Sequence, residues 1–225
     1  MIDGTRFEHD YCVILYWDIV LNKPQGLRFS TGEIGEEITR DLEYLKAKGV
    51  NCVGAVSDGG KAIILSLNAV YDDIPKQRCL VHIQRRTMGW LTQRPKLEAG
   101  VYLREICKCI NKIKTKREKN KWIKTFQLWD KTYNEFLKER TVSFDGKHWR
   151  YTHRNLRRVR RHILNALPFM FLYLDCPSLP KDTNKLEGGV FSWLKDTCGR
   201  HRGITKDKRA SFLTWYIHFK YLDKG

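Results

Sequence analysis

The spacing of apolar residues changes after His82, and this change constrains the fold more than any other feature of the sequence. Residues 11–20 and 27–30 are rich in β-forming residues and are separated by turn-forming residues, which predicts a hairpin. Residues 83–170 instead carry long helical patterns and almost no strand signal. We therefore expect an α/β core that is interrupted by a mostly helical insertion.

The prediction of an α/β core rests on short segments on either side of the helical insertion. Apolar residues at helical spacing predict a helix over residues 33–48, which ends at Gly49. An apolar run at 52–56 leads through Ser57-Asp58-Gly59-Gly60 into a helical pattern at 61–70, and residues 77–81 read as a further short strand. After two prolines near residue 180, helices are predicted over 184–197 and 205–222.

The charge of the chain points to a polyanionic partner. Lys and Arg number 42 against 25 Asp and Glu, a formal net charge of +17. No apolar run approaches the roughly 20 residues of a membrane-spanning helix, so we expect no membrane and favour a nucleic acid. The alternative is a soluble basic protein with no such partner. Seven cysteines, an odd number, without a secretory signal predict reduced thiols in a cytosolic compartment.

Three acidic residues that lie far apart in the sequence are each followed directly by glycine: Asp3, Asp58 and Glu187. Three carboxylates can hold a pair of Mg²⁺ ions for phosphoryl transfer. Asp58 is expected at the carboxyl end of a strand, an edge that favours ligand sites. Only two residues precede Asp3, so the strand that carries it is expected to be cut short. Either aspartate alone is more typical of a turn or a helix cap.

Glu187 also has a purely structural interpretation. Asn184 and Glu187 have the spacing of a helix-capping box. The glycine pair 188–189, however, costs roughly 1 kcal/mol per residue in a helix, which indicates that another molecule must approach the helix closely.

The motifs together resemble those of Mutator-like insertion-sequence transposases of bacteria. The matching segments are Ile2-Asp3-Gly4-Thr5-Arg6-Phe7, Val56-Ser57-Asp58-Gly59, Cys79-Leu80-Val81-His82, Thr183-Asn184-Lys185-Leu186-Glu187-Gly188-Gly189, Leu194-Lys195 and His201-Arg202-Gly203. The resemblance implies a ribonuclease-H-like α/β fold, a mixed sheet with flanking helices. Its core would comprise residues 1–82 and 177–225, the last part carrying the Glu helix, and its helical insertion residues 83–176.

The resemblance also implies a function. Asp3, Asp58 and Glu187 would be the catalytic DDE triad that binds two Mg²⁺ ions, with Mn²⁺ as a substitute, for DNA strand cleavage and strand transfer. The partners would be element ends and target DNA, met by a homo-oligomer in the bacterial cytoplasm at the nucleoid. Two alternatives remain: a metal-dependent nuclease that only hydrolyses, and a non-catalytic DNA-binding remnant. Such transposases carry a DNA-binding region ahead of the first aspartate, so we expect a truncated chain or one with a separately encoded partner.

Residues for DNA contact come from the same resemblance and from charge. His82 is implied to lie near the active site and to position the nucleophile or the DNA. A basic cluster beside the proposed triad helix, which includes Lys195, Arg200 and Arg202, is expected to contact phosphates. A second basic cluster, residues 154–161, is interpreted as a solvated helix face. Trp90, Trp122, Trp129 and Trp149 are expected mostly in the core of the insertion, with base stacking as the alternative.

Two further patterns carry weaker alternatives. Cys79-x-x-His82 and Cys198-x-x-His201 share a spacing from which a zinc site is conceivable. Asp18 lies in the predicted hairpin, which favours an exposed strand residue over a fourth metal ligand.

Overall fold

The computed structural model of the chain describes residues 1–7, 11–201 and 203–222. It is a mixed α/β structure that divides into two compact units. Residues 1–79 and 177–225 form the first, here called the sheet unit, and residues 80–176 form the second, the helical unit.

The sheet unit contains five strands, four α-helices and two π-helical segments among its described residues. The strands are β1 (Ile2–Phe7), β2 (Tyr11–Asp18), β3 (Lys23–Ser30), β4 (Ala55–Ser57) and β5 (Lys76–Arg78). The helices are α1 (Gly35–Ala47), α2 (Lys61–Val70), α7 (Ser192–Arg200) and α8 (Lys206–Ile217), and the π-helical segments are Lys185–Phe191 and His218–Leu222.

Strands β1, β2 and β3 form an antiparallel sheet in that order, and β4 pairs with β5 in parallel. The predicted hairpin is confirmed as β2 and β3, with an irregularity in register between Tyr16 and Trp17. Asn22 takes a positive φ of 52° in the connecting turn, a conformation that asparagine tolerates better than most residues.

Alternation of side chains along the three-stranded sheet gives it two apolar faces. One face, which includes Ile14, packs against Ile38 of α1 and Ile63 of α2. The opposite face, which includes Leu15, packs against the carboxyl-terminal helices through residues such as Leu186 and Leu213. The sheet is therefore buried on both sides, which explains the continuous apolar run of β2.

Three expectations about the strands of this unit need correction. The strand that carries Asp3 has an ordinary length of six residues, because β1 extends mainly after Asp3. The strand predicted at 52–56 is only Ala55–Ser57. The strand predicted at 77–81 ends at Arg78, because Leu80 and Ile83 are buried at helical spacing and begin a helix.

The helical unit contains four α-helices and one short hairpin among its described residues. Its elements are α3 (Leu80–Trp90), α4 (Glu98–Lys108), α5 (Lys116–Thr132), β6 (Arg140–Val142), β7 (Trp149–Tyr151) and α6 (Arg154–Ala166), with single 3₁₀ turns at Ile110–Lys112, Phe136–Lys138, Leu167–Phe169 and Leu172–Leu174. This hairpin was not predicted, because its strands have three residues each and lack a buried face.

The aromatic face predicted for α5 is confirmed as core. The rings of Trp122, Phe126 and Trp129 are buried and stacked in succession. The indole N–H of Trp122 donates to the Ile106 carbonyl at 2.8 Å, and that of Trp129 donates to the Ala99 carbonyl at 2.9 Å. Both tryptophans therefore have structural partners, and base stacking by them is excluded by their burial.

Candidate metal centre

Asp3 is a buried carboxylate on the face of β1 that packs against the carboxyl-terminal helices. Its side chain lies on the same face as Met1 and Phe7, because side chains two positions apart along a strand point the same way. Only 3% of the residue is exposed. Its Oδ1 accepts the Gly4 N–H at 2.9 Å, whereas Oδ2 has no hydrogen-bond partner among the described residues. A buried carboxylate oxygen without a donor is costly unless a cation or water satisfies it.

The electrostatics of Asp3 follow from this burial. Loss of solvation, together with the negative charges of Asp58 and Glu187, raises the pKa of Asp3 to about 7. The Thr183 side chain and the Gly4 N–H oppose the rise because they favour the charged form. A buried carboxylate that two further negative charges repel suits a bound divalent cation, whose charge would offset the repulsion.

Asp58 follows β4 directly and is held by the turn that joins β4 to α2. The residue is 7% exposed, and its Oδ1 accepts the Gly60 N–H at 2.7 Å. Gly59 has a φ of +80°, and a methyl group at its Cα would lie 2.1 Å from Nε of Arg78. Both the backbone conformation and the close guanidinium therefore require glycine at position 59.

Glu187 lies in the π-helical segment Lys185–Phe191. One carboxylate oxygen of Glu187 and one of Asp3 lie within 4.8 Å of each other. The segment begins with the N–H groups of Leu186 and Glu187 both donating to the Thr183 carbonyl. The capping-box interpretation is wrong, because the Asn184 side chain makes no capping hydrogen bond. The Asn184 side chain therefore does not cap this segment.

The surface beside Glu187 is open. Apart from the backbone of the helix itself, no described atom lies within 4 Å of a methyl group added at Gly188 or Gly189. No other part of the described protein therefore packs closely against these glycines. Segments of π-helix are rare and occur frequently at functional sites. The open space leaves room for a ligand, and the close approach inferred from the two helical glycines stays a prediction.

Glu33 is a fourth carboxylate of this region that the sequence analysis did not single out. A methyl group at Gly4 would lie 2.7 Å from its Oε1, and one at Gly60 would lie 2.8 Å from its Oε2. The same group at Gly60 would lie 3.1 Å from Oδ1 of Asp58. Glu33 thus reaches between the Asp3 strand and the Asp58 turn. The sequence offered one indication of this carboxylate: Gly4 after Asp3 and Gly60 after Asp58 leave room for a side chain to approach.

Comparison with protein families now places this site in context. The family model described as Transposase, Mutator family matches residues 25–162, more than half of the chain. The chain belongs to the Mutator family of transposases. The family predicted from the motifs is therefore confirmed. The matched range includes Asp58 and Glu33 but neither Asp3 nor Glu187. A comparison with curated proteins found no match.

The residues proposed for DNA contact in this Mutator-family chain belong to both units. Lys195 and Arg200 are exposed on α7, where Arg200 pairs with Asp196 at 2.7 Å. His82 is the third residue of α3 and belongs to the helical unit. Arg202 lies outside the described residues. No helix in the described part of the transposase is long and apolar enough to cross a membrane.

The zinc alternative gains no support from the sheet unit. Cys79 is buried, and its sulfur accepts the Thr183 N–H at 3.3 Å. The His201 ring instead packs on Phe212 with a centroid distance of 4.9 Å. Within the described part of this unit, Cys79, Cys198 and His201 form no group with metal-ligand spacing.

Asp18 is the last residue of β2, as expected of a strand residue, but it is half-buried rather than exposed, and its carboxylate has a structural role. Its Oδ1 accepts the N–H groups of Val20 and Leu21 at 2.8 and 2.9 Å. These bonds stabilise the turn between β2 and β3, and they account for this carboxylate without a metal.

Replacing Gly60 by Ala is expected to weaken Mg²⁺ binding while the fold is retained. The φ of −54° at Gly60 is open to alanine, but the added methyl group must displace the carboxylates of Glu33 and Asp58. Because a side-chain end can move, we expect a loss of stability of about 1 kcal/mol or less. Isothermal titration with Mg²⁺ and thermal melting measure the two effects. Gly89→Ala, in open space on α3, is the control; equal Mg²⁺ affinity in both variants would contradict the prediction.

Proposed function

We propose that this chain is a DDE transposase that cleaves DNA at the ends of an insertion element and transfers the strand to a target. The observation that carries the proposal is Asp3, a buried carboxylate with an unsatisfied oxygen, beside Glu187 and under the repulsion of Asp58. Membership of the Mutator family supports DNA as the substrate. The net charge of +17 supports the same partner.

We further propose a ribonuclease-H-like fold for the catalytic core. The antiparallel order of β1, β2 and β3, the parallel pair β4 and β5, and the contact of β4 with β1 support a single mixed sheet. Helices on both faces of β1 to β3 support the flanking layers. Residues 1–82 and 177–225 would form this core and residues 83–176 its helical insertion.

Asp3, Asp58 and Glu187 would hold the metal ions in this proposal. Their carboxylate oxygens are the ligands that Mg²⁺ prefers, with Mn²⁺ as a substitute. Two bound Mg²⁺ ions would supply charge stabilisation to the attacking and leaving oxygens of a phosphodiester exchange. The buried Asp3 carboxylate must be ionised to bind a metal ion, because a proton on this carboxylate would compete with metal binding.

The exchange itself balances without a covalent protein intermediate. In cleavage, a water molecule loses a proton as its oxygen attacks phosphorus, the bond from phosphorus to the 3′-oxygen breaks, and the leaving 3′-oxygen takes up a proton. In strand transfer, that 3′-hydroxyl attacks a target phosphodiester, loses its proton and releases a new 3′-hydroxyl. The open surface at Gly188 and Gly189 gives the DNA backbone access to Glu187. Because two element ends must reach one target, we propose that the chain forms a homo-oligomer on DNA. The proposed location is the bacterial cytoplasm.

Two alternatives predict different products. A nuclease would release cleaved strands but join none, and a non-catalytic remnant would bind DNA without metal-dependent chemistry. The set of buried and neighbouring carboxylates favours an active site over a remnant, because nothing in a remnant would offset the electrostatic cost of these charges.

The test uses labelled duplexes that carry the ends of the element encoding this chain, together with a target plasmid. We expect Mg²⁺-dependent nicking at the element end and joined products that migrate with the target. Nicking without joined products would support the nuclease. DNA binding without nicking in Mg²⁺ or Mn²⁺, including in a chain with its upstream genomic region restored, would overturn the proposed activity.

A further inference from the structure

The helical unit carries a basic surface that the proposed chemistry does not use. Residues 139–165 contain eight Lys or Arg and two Asp or Glu. They include the hairpin β6–β7 and the helix α6, which begins three residues after the hairpin ends. A cleft of about 1040 Å³ lies along this segment, and no carboxylate is among its described lining residues.

Four arginines lie on one face of α6. Arg154, Arg157, Arg158 and Arg161 follow the spacing of successive helical turns, while Leu156, Val159 and Ile163 bury the opposite face. From Arg154 to Arg161 the helix rises about 10 Å. One strand of duplex DNA presents a phosphate about every 3.4 Å along the axis, so about three phosphates match this length.

Two of these four charges are held in place by aromatic rings, and neither pairs with a carboxylate among the described residues. The Arg157 guanidinium lies 3.5 Å from the centroid of the Tyr151 ring, and Arg158 lies 4.2 Å from that of Trp90. Arg157 also donates to the Leu137 carbonyl at 2.8 Å. The fifth arginine of the helix, Arg160, differs because it pairs with Asp130. Guanidinium groups fixed on aromatic rings lose less freedom when they bind a phosphate.

The hairpin extends the same surface. Arg140 lies 3.9 Å from the centroid of the Trp149 ring, and Arg150 is exposed on β7. Arg154 and Arg161 are exposed, and neither has an ion pair among the described residues of the unit. The solvated face expected for α6 is therefore an array of cations, two of them held on aromatic rings, with an open cleft beside it.

We propose that α6 and the β6–β7 hairpin bind the phosphate backbone of duplex DNA, as a contact surface built from other residues than the carboxylate site. The proposal rests on the proposed function for the choice of DNA as the polyanion. Binding through phosphates positions the duplex but reads no sequence. The surface should therefore contribute equally to all DNA sequences.

The test replaces Arg154, Arg158 and Arg161 together by Gln in the full chain. The control replaces Arg117, Lys121 and Lys124 of α5 by Gln, which removes the same charge from the same unit. Binding to two duplexes of unrelated sequence is measured by fluorescence anisotropy over a range of about 50 to 200 mM salt. We expect the α6 variant to lose roughly 10- to 100-fold in affinity for both duplexes, and its salt slope to fall by about 2 to 3. The α5 control should change each quantity by less than half as much.

Each result decides the proposal. Equal losses in the two variants would show an effect of total charge and overturn it, as would an unchanged α6 variant. In either case cleavage by the wild-type chain would leave the proposed function intact. Absence of DNA binding by the wild-type chain would overturn both. The single variant Arg161→Gln serves if the triple variant melts early, with an expected fall in salt slope of about 0.9.

Discussion

Replacing Glu187 by Gln is expected to abolish Mg²⁺-dependent DNA cleavage, with a loss of at least roughly 1000-fold in rate, or about 4 kcal/mol. Glutamine keeps the length of the side chain but removes the negative charge that a hard divalent cation requires. Glu187 lies within 4.8 Å of the Asp3 carboxylate, so the change acts on the same ligand set. Cleavage of an element-end duplex at saturating DNA measures the rate.

The fold and DNA binding should survive this substitution. The first turn of the segment is held by backbone donation to the Thr183 carbonyl, which glutamine leaves unchanged. Loss of one negative charge cannot weaken attraction to phosphates, so affinity in a gel shift should be equal or slightly higher.

The control for this experiment is Glu43→Gln, an exposed position on α1 that should cleave normally. Full cleavage by the Glu187 variant would show that Glu187 does not hold the metal. A fall in melting temperature beyond that of the control would assign it a structural role instead.

Much of the fold could be predicted because its apolar spacing is strong. The helix α2 has the predicted bounds, and α1 lies within its predicted range, since both bury one face against the sheet. The strand β5 ended early because Leu80 belongs to a helix whose burial pattern is not visible in so short a run. The hairpin β6–β7 had no signal, since its alternating face is not buried.

The candidate site was predictable in part for a different reason. Local glycine frames marked Asp3, Asp58 and Glu187, although only tertiary packing brings Asp3 and Glu187 together from opposite ends of the chain. Glu33 was not predicted as a site residue, because it lies close to Gly4 and Gly60, which are far apart in the sequence. The capping box was a reasonable local interpretation that failed because the segment is π-helical and its Asn184 side chain is not used.

Replacing Asp3 by Asn is expected to stabilise the metal-free protein at pH 8 while it abolishes both cleavage and stabilisation by Mg²⁺. Asp3 is buried, and its pKa is raised from 3.8 to about 7 in the folded protein. A difference of this size corresponds to roughly 4 kcal/mol of folding free energy. The variant should therefore melt roughly 5 to 15 °C higher than the wild type at pH 8 without metal.

The sign of the pH dependence follows from linkage. Between about pH 4 and pH 7 the folded state keeps a proton on Asp3 that the unfolded state has released, so the metal-free wild type loses stability as pH rises. The asparagine side chain of the variant has no proton to lose. The difference in melting temperature between variant and wild type should accordingly be small at pH 4 and complete above pH 7.

Metal reverses this order because Mg²⁺ binds the charged carboxylate. Mg²⁺ should raise the melting temperature of the wild type more at pH 8 than at pH 6, and should leave that of the variant unchanged. Asp73→Asn, at an exposed position of the same unit, controls for the loss of one charge and should behave as the wild type. If the Asp3 variant melted below the wild type at pH 8, or were still stabilised by Mg²⁺, Asp3 would not be the buried metal ligand. A buried ligand carboxylate lowers the stability of the fold when the ion is absent, and the ion cannot bind without it.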